Sequence, residues 1–320
     1  MVLVGDIGGT HTRLAFFENG RKLIEQKYLS KNFQSLEAIV QDFLQSEKRK
    51  PGKACFGVPG AVREGKCKAT NLPWMIDEMS LSETLKIPKV KLINDLEAHA
   101  HSLQKLGHED LFLLQKGDPA QKGNRALMAA GTGLGEAGLV WDGETYHPFA
   151  SEGGHADFAA RNEEEMELFF YLQKKFGHVA YERVLSGPGL YSIFEFLIEK
   201  KGAILTEEVK REMQKKDPAS VVSVWGCNQK DATCSLALDL FVSVYGAEAG
   251  NLALKFFALG GFFVGGGIAP HILERIKTGP FLNSFCSKGR FQKFLESIPV
   301  WIILNDDTAL IGAEAYLERL

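Results

Sequence analysis

Apolar residues in the first hundred positions follow two spacings, and the change between them predicts where strands and helices lie. Continuous or alternating apolar runs predict strands at 2–7, 12–18, 21–29, 53–58 and 89–93. Apolar residues spaced three or four apart predict helices at about 34–47 and 95–106. The stretch 61–80 follows neither spacing, so we expect it to be irregular.

The pattern that begins near residue 110 starts in the same way and then becomes helical. Strands are predicted at 125–130, 136–141, 144–149, 262–264 and 299–304. Helices are predicted near 163–176, 189–200, 207–216 and 231–258, from about 270, and at 307–318. Alternating strands and helices indicate an α/β fold. No segment of low complexity divides the chain, so we expect two domains that pack with a cleft between them.

Two tight turns give the two halves a similar layout. Asn19-Gly20 and Asp142-Gly143 are typical of hairpin turns, which favour residues that tolerate positive φ. Each follows a strand, a turn of glycine and threonine, and a second strand. This order occurs at 2–29 and again at 125–149, which indicates a duplicated architecture.

Composition and charge indicate which cellular compartment and which kinds of binding partner to expect. A net charge of −3 gives no electrostatic reason to expect nucleic acid or an anionic membrane as a partner. The apolar start ends at Asp6, too early for a signal peptide, and no apolar run reaches the ~18 residues of a membrane span. The five cysteines are widely spaced without a Cys-x-x-Cys pair, which favours a reducing cytoplasm over a disulfide framework.

The first candidate for chemistry lies where the apolar strand 89–93 runs into a helix. Asn94 and Asp95 stand side by side at this junction. Ligands of open α/β sheets bind at the carboxyl ends of the strands. Asp95 is therefore either the N-cap of the helix or a catalytic base, and both interpretations stay open at this point. His99 and His101 on the following helix are interpreted as packing or surface residues.

Glycine clusters are the second candidate. In Asp6-Ile7-Gly8-Gly9-Thr10, the glycines let backbone N–H groups approach a phosphate, the threonine adds a hydroxyl, and Asp6 is placed to orient Mg²⁺ directly or through water. The alternative is an ordinary hairpin turn. No Gly-Lys-Ser/Thr follows, so the turn is not a Walker A loop.

Two further glycine clusters lie later in the chain. Gly131-Thr132-Gly133 resembles the first turn, and a strand follows it, whereas a dinucleotide-binding motif requires a helix at that point. Two such turns suit a site that holds a polyphosphate. The cluster Gly265, Gly266 and Gly267 follows a buried strand. It either lies against a nucleotide base or ribose, or simply forms a tight strand-to-helix turn.

Acidic residues and a histidine in the second half are candidates for binding a polyol. Glu152 and His155 flank two glycines, a spacing at which both side chains can hydrogen-bond sugar hydroxyls. The alternative is a capped loop with a surface histidine; metal binding by His155 is the weaker hypothesis because no second histidine lies at helical spacing. Glu182 taken alone is an acid on a helix surface.

Together these segments resemble the bacterial hexokinase-type glucokinases of the actin/Hsp70/sugar-kinase superfamily. The resemblance runs nearly end to end and is carried by residues 3–10, 69–72, 92–98, 130–135, 151–158, 181–187 and 265–268. It implies a two-domain actin-like ATPase (ribonuclease H-like) fold. It also implies a small domain formed by 1–108 and 300–320, a large domain formed by 109–299, and a homodimer.

The resemblance implies ATP-dependent phosphorylation of D-glucose at O6, giving glucose 6-phosphate and ADP. It makes Asp95 the general base, and has Asn94, Glu152, His155 and Glu182 hold the sugar together with Asp95. ATP and Mg²⁺ would be held by three clusters: Gly5, Asp6, Ile7, Gly8, Gly9 and Thr10; Gly131, Thr132 and Gly133; and Gly265, Gly266 and Gly267 beside the adenosine. His11 replaces the asparagine usual in the family. The cysteine-rich zinc motif of the related repressor, open-reading-frame and kinase family is absent from the sequence.

Two alternatives to glucose phosphorylation stay open at this stage. The first is a kinase of another hexose on the same scaffold. The second is a non-catalytic sugar sensor or regulator, which would be expected to have a DNA-binding segment before the first strand and to have lost Asp95.

Overall fold

The computed structural model describes residues 1–70, 72–118 and 120–320, and the chain divides into two structural units. The first unit comprises Met1–Gly107, Pro148–Ala150 and Asn305–Leu320, and the second comprises His108–His147 and Ser151–Leu304. Asn71, which belongs to one of the segments that carry the resemblance, lies outside the described residues.

The first unit is built on a five-stranded sheet in the order β3-β2-β1-β4-β7. Its elements before residue 108 are β1 (Val2–Ile7), β2 (His11–Glu18), β3 (Arg21–Leu29), α1 (Leu36–Glu47), β4 (Lys53–Val58), β5 (Lys66–Lys68), β6 (Met75–Asp77), α2 (Glu78–Leu85), β7 (Lys89–Asn94) and α3 (Asp95–Ser102). The ribbon β1-β2-β3 is antiparallel, whereas β1, β4 and β7 are parallel. Asn19 and Gly20 both have positive φ, as the hairpin between β2 and β3 requires.

The second unit is built on a six-stranded sheet in the order β11-β10-β9-β12-β13-β8. Its elements are β8 (Leu111–Gln115), β9 (Arg125–Ala130), β10 (Leu134–Trp141), β11 (Tyr146–Ser151), α4 (Glu163–Phe176), α5 (Gly187–Lys201), α6 (Glu207–Met213), α7 (Pro218–Cys227), α8 (Ala232–Lys255), β12 (Phe262–Gly265), α9 (Ile268–His271), α10 (Leu273–Ile276), α11 (Pro280–Cys286), α12 (Gln292–Glu296) and β13 (Val300–Ile303). Helix α13 (Thr308–Glu318) then belongs to the first unit.

Apolar residues on both faces of the first sheet explain why helices cover it twice. Leu3 and Phe56 face a core that includes residues of α1 and α2. Val4, Cys55 and Ile93 face a second core that includes residues of α3 and α13. Parallel strands that are buried on both faces read as continuous apolar runs, which is how β4 reads in the sequence.

Helix α8 forms the centre of the second unit. It is buried around most of its circumference, which is typical of a helix inside a core rather than on a surface. A Cβ at Gly246 would overlap the carbonyl oxygen of Phe281, and one at Gly250 would come close to that of Phe285. The two glycines therefore let α11 pack directly on the backbone of α8.

Several elements differ from the expectations. The stretch 61–80 contains β5, β6 and the start of α2, and neither β8 nor α7 was expected from the sequence spacing. Helix α3 ends at Ser102 rather than at 106. Strand β11 begins two residues later than expected, because the Asp142 carboxylate accepts hydrogen bonds from the N–H groups of Glu144 and Thr145 and extends the turn.

The sequence also leads us to expect that the first domain resumes at residue 300. Strand β13 instead pairs with β12 in parallel and with β8 antiparallel, so Val300 and Ile302 are buried in the second unit. The chain passes to the first unit at Asn305. Among the described residues, no helix combines the length and the apolar character that crossing a membrane requires.

Candidate active site

The carboxyl ends of three parallel strands place the first set of candidate residues at one edge of the sheet. Asp6 of β1 pairs with Gly57 of β4, and Gly57 pairs with Ile93 of β7. Two strand spacings separate Asp6 from Ile93, which corresponds to about 10 Å. The glycine turn after β1 and the Asn94-Asp95 pair after β7 therefore share the edge at which α/β sheets bind ligands.

Asn94, not Asp95, is the N-cap of α3. Its Oδ1 accepts hydrogen bonds from the N–H groups of Leu96 at 2.9 Å and Glu97 at 3.3 Å. Its Nδ2 donates to the carbonyl of Gly60 at 3.2 Å, and the residue is only 7% exposed. Asp95 is the first helical residue and is partly exposed, with Oδ1 2.9 Å from the N–H of Leu96. Asn94 is thus the capping residue. The carboxylate of Asp95 lies at the positive end of the helix dipole.

Glycines on both sides fix the position of α3. A Cβ at Gly57 would lie 3.2 Å from the Cβ of Ala98 and 3.6 Å from the Cα of Asp95. A Cβ at Gly312 of α13 would overlap the carbonyl oxygen of Ala98. Because α3 packs between these two glycines, a side chain at either position would move the helix and Asp95 with it.

The turn after β1 is held by a small hydrogen-bond network. The N–H of Gly8 donates to the carbonyl of His11 at 2.9 Å, which closes the turn through the backbone, whatever the side chain of residue 11. The hydroxyl of Ser30 donates to the carbonyl of Gly8 at 2.7 Å and lies 3.0 Å from that of Thr12. Gly9 and the exposed Thr10 form the tip. The tip, rather than Gly8, is therefore the part of the turn suited to a phosphate.

Asp6 lies beneath this turn with His99 as its electrostatic neighbour. Burial raises the pKa of Asp6, while His99 and Arg13 act in the opposite direction. Burial lowers the pKa of His99, whose Nδ1 lies 2.7 Å from the hydroxyl of Thr308. His99 is therefore not a simple packing residue. A carboxyl group whose charge is disfavoured by burial beside a phosphate turn fits a position that a divalent cation would stabilise.

The second glycine–threonine turn lies in the second unit and is closed in a similar way. The N–H of Gly131 donates to the carbonyl of Gly133, and the carbonyl of Gly131 accepts from the N–H of Gly187 at the start of α5, each at 2.9 Å. Thr132 is exposed at the tip. No atom of the described residues lies within 4 Å of the position that a Cβ would take at Gly131. This open space suits a phosphate group.

The third glycine cluster packs beside the second. Gly266 has a φ of +79°, and a Cβ there would overlap the carbonyl of Ala130 at the end of β9. Gly267 faces open space. Gly266 is therefore needed for a tight strand-to-helix turn. The open space at Gly267 is compatible with a ligand beside the Gly131 turn, and a nucleotide contact there stays a prediction.

The candidate sugar-binding residues of the second unit come together at the start of β10. A Cβ at Gly154 would overlap the carbonyl of Leu134, while the N–H of Leu134 donates to Oε2 of Glu182 at 3.0 Å. Nε2 of His155 lies 3.9 Å from Oε2 of Glu152, and these side chains are 56% and 60% exposed. The structure thus places Glu182 and the loop that carries Glu152 and His155 on either side of one residue, beside the Gly131 turn.

The family model named Glucokinase matches residues 3–320. The chain belongs to the glucokinase family. It is 40% identical over 339 residues to the curated glucokinase of Nostoc punctiforme, an alignment that covers 100% of this chain and 99% of the relative.

Solved structures show the same fold. The crystal structure of a glucokinase from an Antarctic psychrotroph is 30% identical, with a TM-score of 0.83 and coverage of 100% of this chain and 99% of that one. A glucokinase of the ROK family from Streptomyces griseus, solved with glucose and AMPPNP, is 20% identical, with a TM-score of 0.68 and coverage of 99% and 98%. The glucokinase-family chain described here has the two-domain actin-like ATPase fold that the sequence predicts.

Sequence reasoning missed the residues that support the candidate groups. Ser30 and Thr12 hold the first turn, Thr308 contacts His99, and Glu136 lies under Gly153. Only Glu136 carries a usable sequence signal, since it is an acid within an otherwise apolar strand. The other contacts join segments far apart in the chain and have no local pattern.

Proposed function

We propose that this member of the glucokinase family transfers the γ-phosphoryl group of ATP to O6 of D-glucose, giving glucose 6-phosphate and ADP. The observation that carries the proposal is the position of Asp95. It is an acid at the first turn of a helix, at the carboxyl edge of a sheet that also carries a phosphate-type turn, and its neighbour Asn94 does the capping. Because Asn94 is the N-cap, capping does not account for the acid at position 95, and we assign it the role of the base.

In the proposed mechanism Asp95 accepts the proton of the attacking hydroxyl as the bond to phosphorus forms. A well-placed general base contributes about 10²–10⁴-fold to the rate. The carboxylate lies at the positive end of α3, where a negative charge is favoured. Gly57 and Gly312 fix the helix, so the carboxylate would be held in place before the sugar arrives.

Four other residues would bind the sugar in this proposal. Asn94 would use the second N–H of its amide, since the first is donated to Gly60. Glu152 and Glu182 would accept from hydroxyl groups, and His155 would contribute a ring nitrogen. A sugar that lacks or inverts a hydroxyl would leave a carboxylate unpaired, which supplies discrimination among hexoses.

The glycine clusters would hold the nucleotide. The tips at Gly9-Thr10 and at Thr132 would contact the phosphates, and Gly267 would lie beside the adenosine. When bound, Mg²⁺ would offset negative charge on the phosphates as the group is transferred. Asp6 would orient the ion, directly or through a water molecule, and its own charge would be stabilised in return.

The test is glucose-dependent ADP release from MgATP, with mannose, fructose and an amino sugar in parallel. We expect glucose to give the highest kcat/KM of the panel. A higher kcat/KM for another hexose would favour the alternative of a different hexose kinase on this scaffold. Glucose binding without ADP release would favour the non-catalytic sensor. We also propose that the protein is a homodimer and is located in the cytoplasm. Size-exclusion chromatography with light scattering tests the oligomeric state.

A further inference from the structure

A buried carboxyl pair lies behind the proposed sugar loop of the second unit. Glu136 of β10 is 1% exposed and Glu248 of α8 is fully buried. A Cβ at Gly153 would overlap Oε2 of Glu136, so the carboxyl group supports the backbone between Glu152 and His155 directly. Among the described residues, Oε1 of Glu136 has no hydrogen-bond partner.

Glu248 extends this contact to the second sugar carboxylate. Its Oε2 accepts from Nδ2 of Asn251 at 2.8 Å, and the same amide donates to the hydroxyl of Tyr181 at 3.1 Å. Tyr181 directly precedes Glu182 in a short 3₁₀ turn. One buried network therefore reaches both the loop that carries Glu152 and the turn that carries Glu182.

The charge on this network is limited by its surroundings. Burial raises the pKa of Glu136 to about 8, the neighbouring Glu248 adds to the rise, and Lys255 opposes it. Glu136 therefore keeps its proton at neutral pH. The other groups that face the pair are Tyr181, whose pKa burial raises, and Lys288, whose pKa burial lowers to about 8, with Arg161 adding to that change.

We propose that Glu136 and Glu248 are positioning residues for sugar binding: Glu136 supports the Gly153 backbone, and Glu248, through Asn251, supports the Tyr181–Glu182 turn. The proposal rests on the proposed function, because it assumes that Glu152 and Glu182 bind the sugar. Loss of a proton from Glu136 would leave a poorly solvated negative charge in this buried site, directly against the Gly153 backbone. Movement of the loop away from Glu136 would let water reach this charge and would weaken sugar binding.

The test measures KM for glucose and for MgATP between pH 6.5 and 9.5. For the wild type, a group that titrates near pH 8 predicts a rise of about 10-fold in the glucose KM from pH 7 to pH 9, with the MgATP KM changed less than about 2-fold. Glu136→Gln keeps the shape of the side chain but cannot ionise. The glucose KM of this variant should therefore change less than about 2-fold between pH 7 and pH 9. The control Glu314→Gln alters a buried acid of the first unit, whose pKa burial also raises, and should follow the wild type.

Two results would overturn the proposal. A glucose KM that rises equally in Glu136→Gln assigns the titration to another group, such as Lys288. An equal rise in the MgATP KM shows a general loss of structure rather than a change at the sugar loop. If the wild type shows no glucose-dependent ADP release, the proposed function is overturned instead. The hydrogen-exchange measurement described next does not depend on that activity.

Hydrogen exchange of the sugar-free wild type tests the positioning role independently of activity and of any variant that folds poorly. After correction for the intrinsic pH dependence of exchange, we expect residues 151–156 to lose protection between pH 7 and pH 9 while α5 keeps it. Equal behaviour of the two segments would contradict the proposal. The same measurement on Glu136→Gln should show protection of residues 151–156 that does not change with pH.

Discussion

The two glycine–threonine turns have similar backbone hydrogen bonds and exposed threonines, but different residues precede them. In each turn the N–H of the first glycine closes the turn through the backbone, and the threonine is exposed at the tip. The penultimate residue of the preceding strand differs: it is Asp6 in the first unit and Ala129 in the second. The first turn therefore has an acid at this position of its strand, whereas the second has an apolar residue there.

The acidic side chain beside the second turn, Glu182, comes from a later segment of the chain. Glu182 accepts from the N–H of Leu134, directly after the turn, and the loop of Glu152 and His155 packs against the same residue. Gly266 packs beside the end of the preceding strand. We infer that the first turn is specialised for the metal-bound phosphates, and the second for holding phosphates beside the sugar residues.

The largest expected effect is at Asp95, which belongs to the first unit. Asp95→Asn keeps size and helix position but removes the base, so kcat should fall by about 10²–10⁴-fold. Glucose affinity, measured by calorimetry, should change far less. The control Glu97→Gln changes an acid two residues further along the same helix and should keep kcat within about 2-fold. Near-normal turnover in Asp95→Asn would show that Asp95 is not the base.

The next effect tests the contrast between Asp6 and Ala129. Asp6→Asn should reduce kcat/KM for MgATP by about 10–100-fold, the usual result of losing a residue that orients a metal through its ligands. Ala129→Ser adds a polar group at the matching position of the second unit and should have little effect. Titration with Mg²⁺ at fixed ATP separates the two variants. Equal losses would show that the two turns are not specialised as we infer.

A smaller effect is expected at Glu182. Glu182→Gln should raise the glucose KM by about 10-fold, since a hydrogen bond to a charged group is worth about 1.5–3 kcal/mol and the amide keeps part of it. The KM for MgATP should change by less than about 2-fold. Steady-state kinetics with each substrate varied in turn distinguishes the two. An unchanged glucose KM would exclude this residue from the sugar site.

The smallest effect comes from two alanine substitutions in the second turn. A Cβ at Gly133 would overlap Oε2 of Glu182, so Gly133→Ala should displace that carboxylate and raise the glucose KM by a few fold. Gly131→Ala meets no atom of the described residues within 4 Å and should affect only the MgATP KM. If both variants change the same KM, the turn does not divide its contacts between sugar and phosphate.

The sequence predicted the two ribbons and the strands β1, β4 and β12 because these have local signals. Apolar runs mark β1, β4 and β12, and Asn19-Gly20 marks a turn that needs positive φ. Helix α7 has an N-terminal signal too, Asp217 followed by Pro218, but it lies in the interval between the predicted helices 207–216 and 231–258, which was not assigned. Helix α2 has only two buried residues, Leu81 and Leu85, which is too short an apolar stripe to recognise.

What the sequence could not supply is long-range contact. The choice between Asp95 and Asn94 as the cap depends on which oxygen meets the N–H groups of Leu96 and Glu97. The sheet to which β13 belongs depends on pairing with β8, nearly two hundred positions earlier. The network of Glu136 and Glu248 joins a strand to a helix far along the chain. None of these has a local pattern.

The identity of the product shows directly whether the protein phosphorylates glucose at O6. Wild-type protein is incubated with ¹³C-labelled glucose and MgATP, and the products are followed by ³¹P and ¹³C NMR. We expect the phosphoryl group to appear on O6 of glucose, and one glucose 6-phosphate to form for each ADP. A phosphoryl group on another oxygen, or ADP without any sugar phosphate, would contradict this expectation.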